Sequence, residues 1–178
     1  PVYVFVLTMM PTLKFDEQDI IAAGWPVNCG PSALAAICGL TLEQVRPACE
    51  RVEFAARGYM NSGMMANALE LLRVKTTPRR LRLDRRTECD EESLPVHGLA
   101  RIQFSGPWII NGKPARWAAQ HTHWIASWKP ALICYVFDIN CGVVTYDTWE
   151  GHTLPRIIES IKRADGEWFV TNSWEVAQ

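Results

Sequence analysis

The sequence has no excess of charge of either sign: 18 Lys and Arg stand against 19 Asp and Glu, for a net charge of -1. A chain so balanced lacks the basic stripe that phosphate backbones attract, so nucleic acid is not an expected partner. Its six cysteines (29, 38, 49, 89, 134 and 141) contain no Cys-x-x-Cys pair. A domain of this length can build a core without disulfide staples, so the cysteines point to a reducing, cytoplasmic setting. There is no apolar run of the roughly 20 residues needed to cross a bilayer. The opening "PVYVFVLTMM" is half that length, lacks the positive flank of a secretory signal and reads as a buried strand, so no membrane partner is expected. Neither an internal repeat nor a low-complexity linker divides the chain, and residues 1–178 are expected to form one domain. The first residue is Pro1 rather than Met, which fits either removal of the initiator or a piece of something longer, such as a polyprotein or a viral particle component.

What is present divides into two halves. Residues 30–38 read as a helix, with Pro31 in its first turn and Gly39 as a left-handed C-cap. "TLEQ" at 41–44 is a Thr-x-x-Gln capping box for a second helix, and Met64, Met65, Ala68, Leu69 and Leu72 place a third after Ser62. From about residue 79 the pattern changes to short β-type runs: "RLRL", "GLARIQF", "PWII", "HWIAS", "ALICYVFD", "VVTYD" and "EWFVT". A late helix at "LPRIIESIKRA", with Thr153 as its N-cap, interrupts them. The expected class is α+β, a helical first half packed on an antiparallel sheet, with the core at their contact.

Against that background one cysteine has an unusual setting. Cys29, in "WPVNCGPSALAAIC", stands at the start of the first helix, where aligned amide dipoles and free N–H groups favour a thiolate. Gly30 allows close approach of a substrate carbonyl, and the Cys29 backbone N–H is free to meet an oxyanion. A thiolate mechanism needs an imidazole. Of the four histidines, His97 and His152 lie in turn-like surroundings, whereas His123 opens the apolar strand "HWIAS" and is the expected base. His121, two residues earlier, would share a strand face with it, a metal-pair pattern; without a cysteine or carboxylate cluster at ligand spacing this ranks below catalysis. The orienting group is expected at the end of the next strand, as Asp138 or Asn140 in "ICYVFDIN".

"NCGPSALAAI", followed by a glycine and the "TLEQV" helix, resembles the nucleophile segment of the papain-like cysteine peptidases, nearest to the branch that holds the bacteriocin-processing, double-glycine peptidases. The resemblance covers roughly residues 15–150. It implies a papain-like fold and a thiol peptidase with Cys29 as nucleophile, His123 as base, Asp138 as orienting acid and Gln18 as oxyanion donor, Asn28 being the local alternative to Gln18. It implies a peptide or protein substrate and no cofactor. "FVTNSW" is also similar to the Asn-Ser-Trp segment of papain itself, which would pair His152 with Asn172. That mapping is set aside because the residues after His152 have helical periodicity, whereas the base belongs on or beside a strand.

Two further features have plain accounts. Arg79, Arg80, Arg82, Arg85 and Arg86 are answered at once by Glu88, Asp90, Glu91 and Glu92, as in a solvated, salt-bridged strand and loop. Trp108, Trp117, Trp124 and Trp128 fall around the proposed base, where one or two are expected at the site and the rest in packing. The same triad could serve a peptidoglycan amidase, an acyl transferase or, with its chemistry lost, a peptide-binding module.

Overall fold

The computed structural model describes residues 10–25, 28–79, 90–109 and 120–177. Local capping decides where its first helices begin. Asp16 caps α1 (Glu17–Ala22) reciprocally: its side chain accepts from the Asp19 N–H at 3.0 Å, and Asp19 accepts from the Asp16 N–H at 2.9 Å. α2 (Cys29–Cys38) starts one residue earlier than expected, so that Cys29 itself is its first residue. Gly39 ends α2 at φ 60°, a left-handed conformation open to a residue without Cβ. α3 (Leu42–Arg51) carries the expected Thr41–Gln44 box, with bonds of 3.2 and 2.9 Å. After the short α4 (Phe54–Arg57), α5 (Ser62–Leu71) is capped by Asn61, whose side chain accepts from the Met64 N–H at 2.9 Å.

The second half contributes β1 (Thr76–Pro78), β2 (His97–Phe104), β3 (Thr122–Trp128), β4 (Tyr135–Asp138), β5 (Gly142–Thr145) and β6 (Trp168–Val176). They pair antiparallel in one sheet of order β1-β6-β2-β3-β4-β5. Three strand expectations change. Of "PWII", residues 107–109 form a turn instead, because Ile109 N–H bonds Gly106 O at 3.0 Å and the Trp108 indole donates to Phe104 O at 2.7 Å. "ALICYVFD" becomes a strand only at Tyr135, after a turn in which Ile133 N–H meets Pro130 O at 3.4 Å. "VVTYD" leaves the sheet after Thr145, whose side chain caps α6 (Tyr146–Thr148). A π-helical turn (Trp149–Thr153) carries α6 directly into α7 (Leu154–Ser160). Thr153 therefore lies inside a helical run and makes no cap bond, contrary to expectation. The "RLRL" strand and residues 1–9 of the opening run lie outside the described residues; Met10 is exposed and belongs to no strand.

The core also differs from the expectation of a single contact between halves. Alternation along the strands sends Leu99, Trp124, Ala126 and Phe137 towards α2, α3 and α5. Ala100, Ile102, Phe104, Ile125 and Val136 go to the opposite face, where Tyr146, Trp149 and Leu154 cover them. The sheet is thus sandwiched between helices, which is why β2 is buried from Gly98 to Phe104. The fold is α+β with a buried antiparallel sheet, and α2 enters it with its N-terminus towards the first half of β3.

Candidate active site

The start of α2 is pressed against its neighbours. A Cβ on Gly30 would come within 2.7 Å of Met60 Cβ and 3.4 Å of Trp124 Cδ1, so glycine lets the start of α2 pack this close to Met60 beside Trp124. The Trp124 indole donates to Met60 O at 2.7 Å and its ring stacks on Trp174 with centroids 5.6 Å apart, which fixes the wall. The β3–β4 ladder runs only from Ala126 to Trp128, so the first half of β3 is not paired with β4. The Trp124 backbone N–H is in reach of the Cys29 thiol there, and so is the His123 ring.

His123 is 8% exposed, and its Nε2 lies 2.9 Å from Asp138 Oδ2. With Nε2 engaged, Nδ1 is the ring nitrogen left for the thiol. Asp138, at the end of β4, is fully buried and accepts four hydrogen bonds. Oδ2 takes His123 Nε2–H and the Trp149 indole N–H, both at 2.9 Å. Oδ1 takes the Asn140 backbone N–H at 2.9 Å and its side-chain amide at 2.8 Å. Asn140, weighed above as the orienting group, thus holds Asp138 instead of His123.

Burial is the largest influence on all three groups and opposes ionisation in each. Specific partners overrule it. The bond to His123, its charge and the Trp124 N–H bring the Cys29 thiol below its ordinary value, although the Asp138 charge acts the other way. Asp138 and then Cys29 raise His123 well above an ordinary imidazole. The imidazole and the donors around it hold Asp138 down to about 2. Burial alone pushes Cys38 up to about 11, and it dominates at Cys49 and Cys134, both pushed up to about 12. Among the described cysteines only Cys29 is shifted towards the thiolate. A thiolate can attack an acyl carbon, and an imidazolium beside it, backed by a carboxylate, can then protonate the leaving group.

The other sequence candidates lie elsewhere. Gln18 is exposed on the first turn of α1 and has no hydrogen bond to Cys29, His123 or Asp138; Asn28 caps α2 without a side-chain bond. His97 opens β2 with Nδ1 2.9 Å from Val176 O and its ring against Trp128, at the far end of the strand from the His123 pairing. His121 precedes β3 at φ 56° with its ring 4.1 Å from that of Trp108, which removes it from the strand alternation that a metal pair with His123 would need. His152 is exposed in the π turn, and Asn172 accepts from Ser62 Oγ at 2.8 Å, so these two are not partners. Of the Arg cluster, the described Arg79 binds the carbonyls of Glu92, Ser93 and Leu94, and residues 80–89 lie outside the described residues. Among the described residues two tryptophans reach the site, Trp124 and Trp149; Trp117 lies outside them. Trp149 was not foreseen, since nothing in its spacing from Asp138 announces a contact made by a π-helical turn.

Compared with known proteins, the chain matches no family model and no curated sequence. Among the described residues no helix is long and apolar enough to cross a membrane, and no group of three or more His, Cys, Asp or Glu could hold a metal ion.

Proposed function

We propose that this protein is a cysteine peptidase of papain-like type, hydrolysing peptide or isopeptide bonds through an acyl-enzyme. The reading rests on one observation: a thiol on the first residue of a buried helix meets a histidine whose Nε2 is 2.9 Å from a fully buried aspartate. The order Cys29, His123, Asp138 and the Cys-Gly-Pro start of α2 support the papain-like assignment.

In the reaction the Cys29 thiolate forms an S–C bond to the scissile carbonyl. The C–N bond then breaks as the His123 imidazolium gives its proton to the departing amine. Water, deprotonated by the neutral imidazole, attacks the thioester and releases the acid and the thiol. The Cys29 backbone N–H, at the start of α2, stabilises the oxyanion. A fluorogenic peptide library tests this reading: the wild-type chain cleaves a subset, and Cys29→Ala, with an unchanged far-ultraviolet circular dichroism spectrum, cleaves none. Undiminished cleavage by a folded Cys29→Ala would overturn the assignment.

A further inference from the structure

Asp138 Oδ2 has two donors, and a triad accounts for only one of them. Trp149 is fully buried and gives its indole N–H to Oδ2 at 2.9 Å, matching the 2.9 Å from His123 Nε2 to that same oxygen. Its ring is locked by Trp168, edge-on with centroids 5.4 Å apart, and by Tyr146 at 5.9 Å. The residue opens the π-helical turn Trp149–Thr153, a geometry that departs from the regular helix and recurs at functional sites. A buried indole N–H needs an acceptor. That of Trp149 is aimed at the one carboxylate oxygen that faces the imidazole.

We propose that Trp149 is a positioning residue of the Cys29–His123–Asp138 site, its indole N–H holding Asp138 Oδ2 at the end of the imidazole so that the opposite ring nitrogen stays on the thiol. This rests on the catalytic reading above. Asn140 restrains Oδ1, and the Trp149 indole adds an anchor on Oδ2, so that both oxygens of the carboxyl resist rotation about its Cβ–Cγ bond. A bond between an indole N–H and a carboxylate is charge-assisted and stronger than a neutral one. The titratable groups facing Asp138 are His123 from β3, Cys29 from α2 and Cys141 from the turn after β4. Glu150, on Trp149's own turn, is tied to the Tyr146 hydroxyl at 2.9 Å.

The test is the pH profile of Cys29 alkylation by iodoacetamide in the wild type, Trp149→Phe and Trp168→Phe. Phenylalanine at 149 keeps a ring in the cluster and loses the N–H. The His123 imidazolium is then less well held on the thiolate, the thiol ionises at higher pH, and the acid limb should move up by about one pH unit. Trp168→Phe trims the same cluster without touching Asp138 and should leave the limb in place. An unmoved limb in Trp149→Phe, or an equal shift in Trp168→Phe, overturns the positioning role while the catalytic reading stands. Wild-type Cys29 reacting no faster than Cys38 overturns both. Should Trp149→Phe not fold, the wild-type chain still decides: the Trp149 indole N–H resonance should be protected from exchange and follow the same acid limb. A rapidly exchanging or non-titrating indole overturns the proposal.

Discussion

The two ends of α2 carry the same side chain in different states. Cys29 begins the helix and Cys38 ends it, and burial raises both thiols. At Cys38 nothing opposes burial, and the thiol is pushed up to about 11. At Cys29 the His123 imidazole and the Trp124 N–H reverse the sign, and the helix dipole, positive at this end and negative at the other, works in the same direction. Desolvation is therefore a shared background, and the local partner decides which cysteine is shifted towards the thiolate.

The largest expected effect compares these two thiols directly. A thiol with a pKa of about 11 is ionised to about one part in 10⁴ at pH 7, so iodoacetamide should label Cys29 at least about 10²-fold faster than Cys38. Peptide mapping by mass spectrometry reads this, and equal rates would erase the distinction between the two ends.

His123→Ala should turn the first end into the second. Burial of Cys29 is then opposed only by the Trp124 N–H and the helix terminus, so labelling at pH 7 should fall by about 10²-fold and peptide cleavage should disappear without loss of circular dichroism. Labelling as fast as wild type would mean that the helix N-terminus alone activates the thiol.

Asp138→Asn should do less to the thiol, slowing labelling by about 10-fold, because the imidazole remains and only its anchor weakens. Its clearer signature is in stability. The folded carboxyl lies at about 2, below its ordinary 3.8, so ionised Asp138 stabilises the fold above about pH 4. That contribution, roughly 2 kcal/mol, is lost as pH falls through 4 towards 2. The difference in melting temperature between wild type and Asp138→Asn should therefore be widest near pH 5 to 6 and narrow towards pH 2. A difference independent of pH would contradict the ion pair.

The smallest effects belong to the pair set aside above. His152→Ala should be neutral because the ring is exposed, and Asn172→Ala should cost about 1 kcal/mol in a denaturant melt through the lost Ser62 bond. Neither should alter Cys29 labelling. Loss of cleavage in both, with His123→Ala still active, would move the site to the papain-type arrangement.

Much of this was legible in the chain because the signals were local. The Thr41–Gln44 box, Gly39 as C-cap and the strands at "GLARIQF" and "HWIAS" depend on neighbours within a few residues, and they appear where their patterns lie. The placement of Cys29, His123 and Asp138 at element ends was legible for the same reason: one lies at a helix start, one at a strand start and one at a strand end. The continuous helix from Tyr146 was not, since the β-type run "VVTYD" hides the point where Thr145 caps it. The turn at Trp108 was missed because two isoleucines after a tryptophan read as strand, while the indole bond to Phe104 O folds the chain back.

The sequence by itself determined α2, α3, α5, the strands at β2 and β3 and the α+β order, and it singled out Cys29, His123 and Asp138, because capping, periodicity and element ends are written in short stretches. Tertiary structure alone decided that the sheet is covered on both faces and that β3 and β4 part beyond Ala126. It alone brought Trp149 to Asp138 Oδ2. These depend on contacts between residues far apart in the chain, where side-chain direction and strand register, and not composition, set which atoms meet. The protonation of Cys29 belongs to that second class: its helix end favours the thiolate, and the imidazole that β3 delivers outweighs the burial against it.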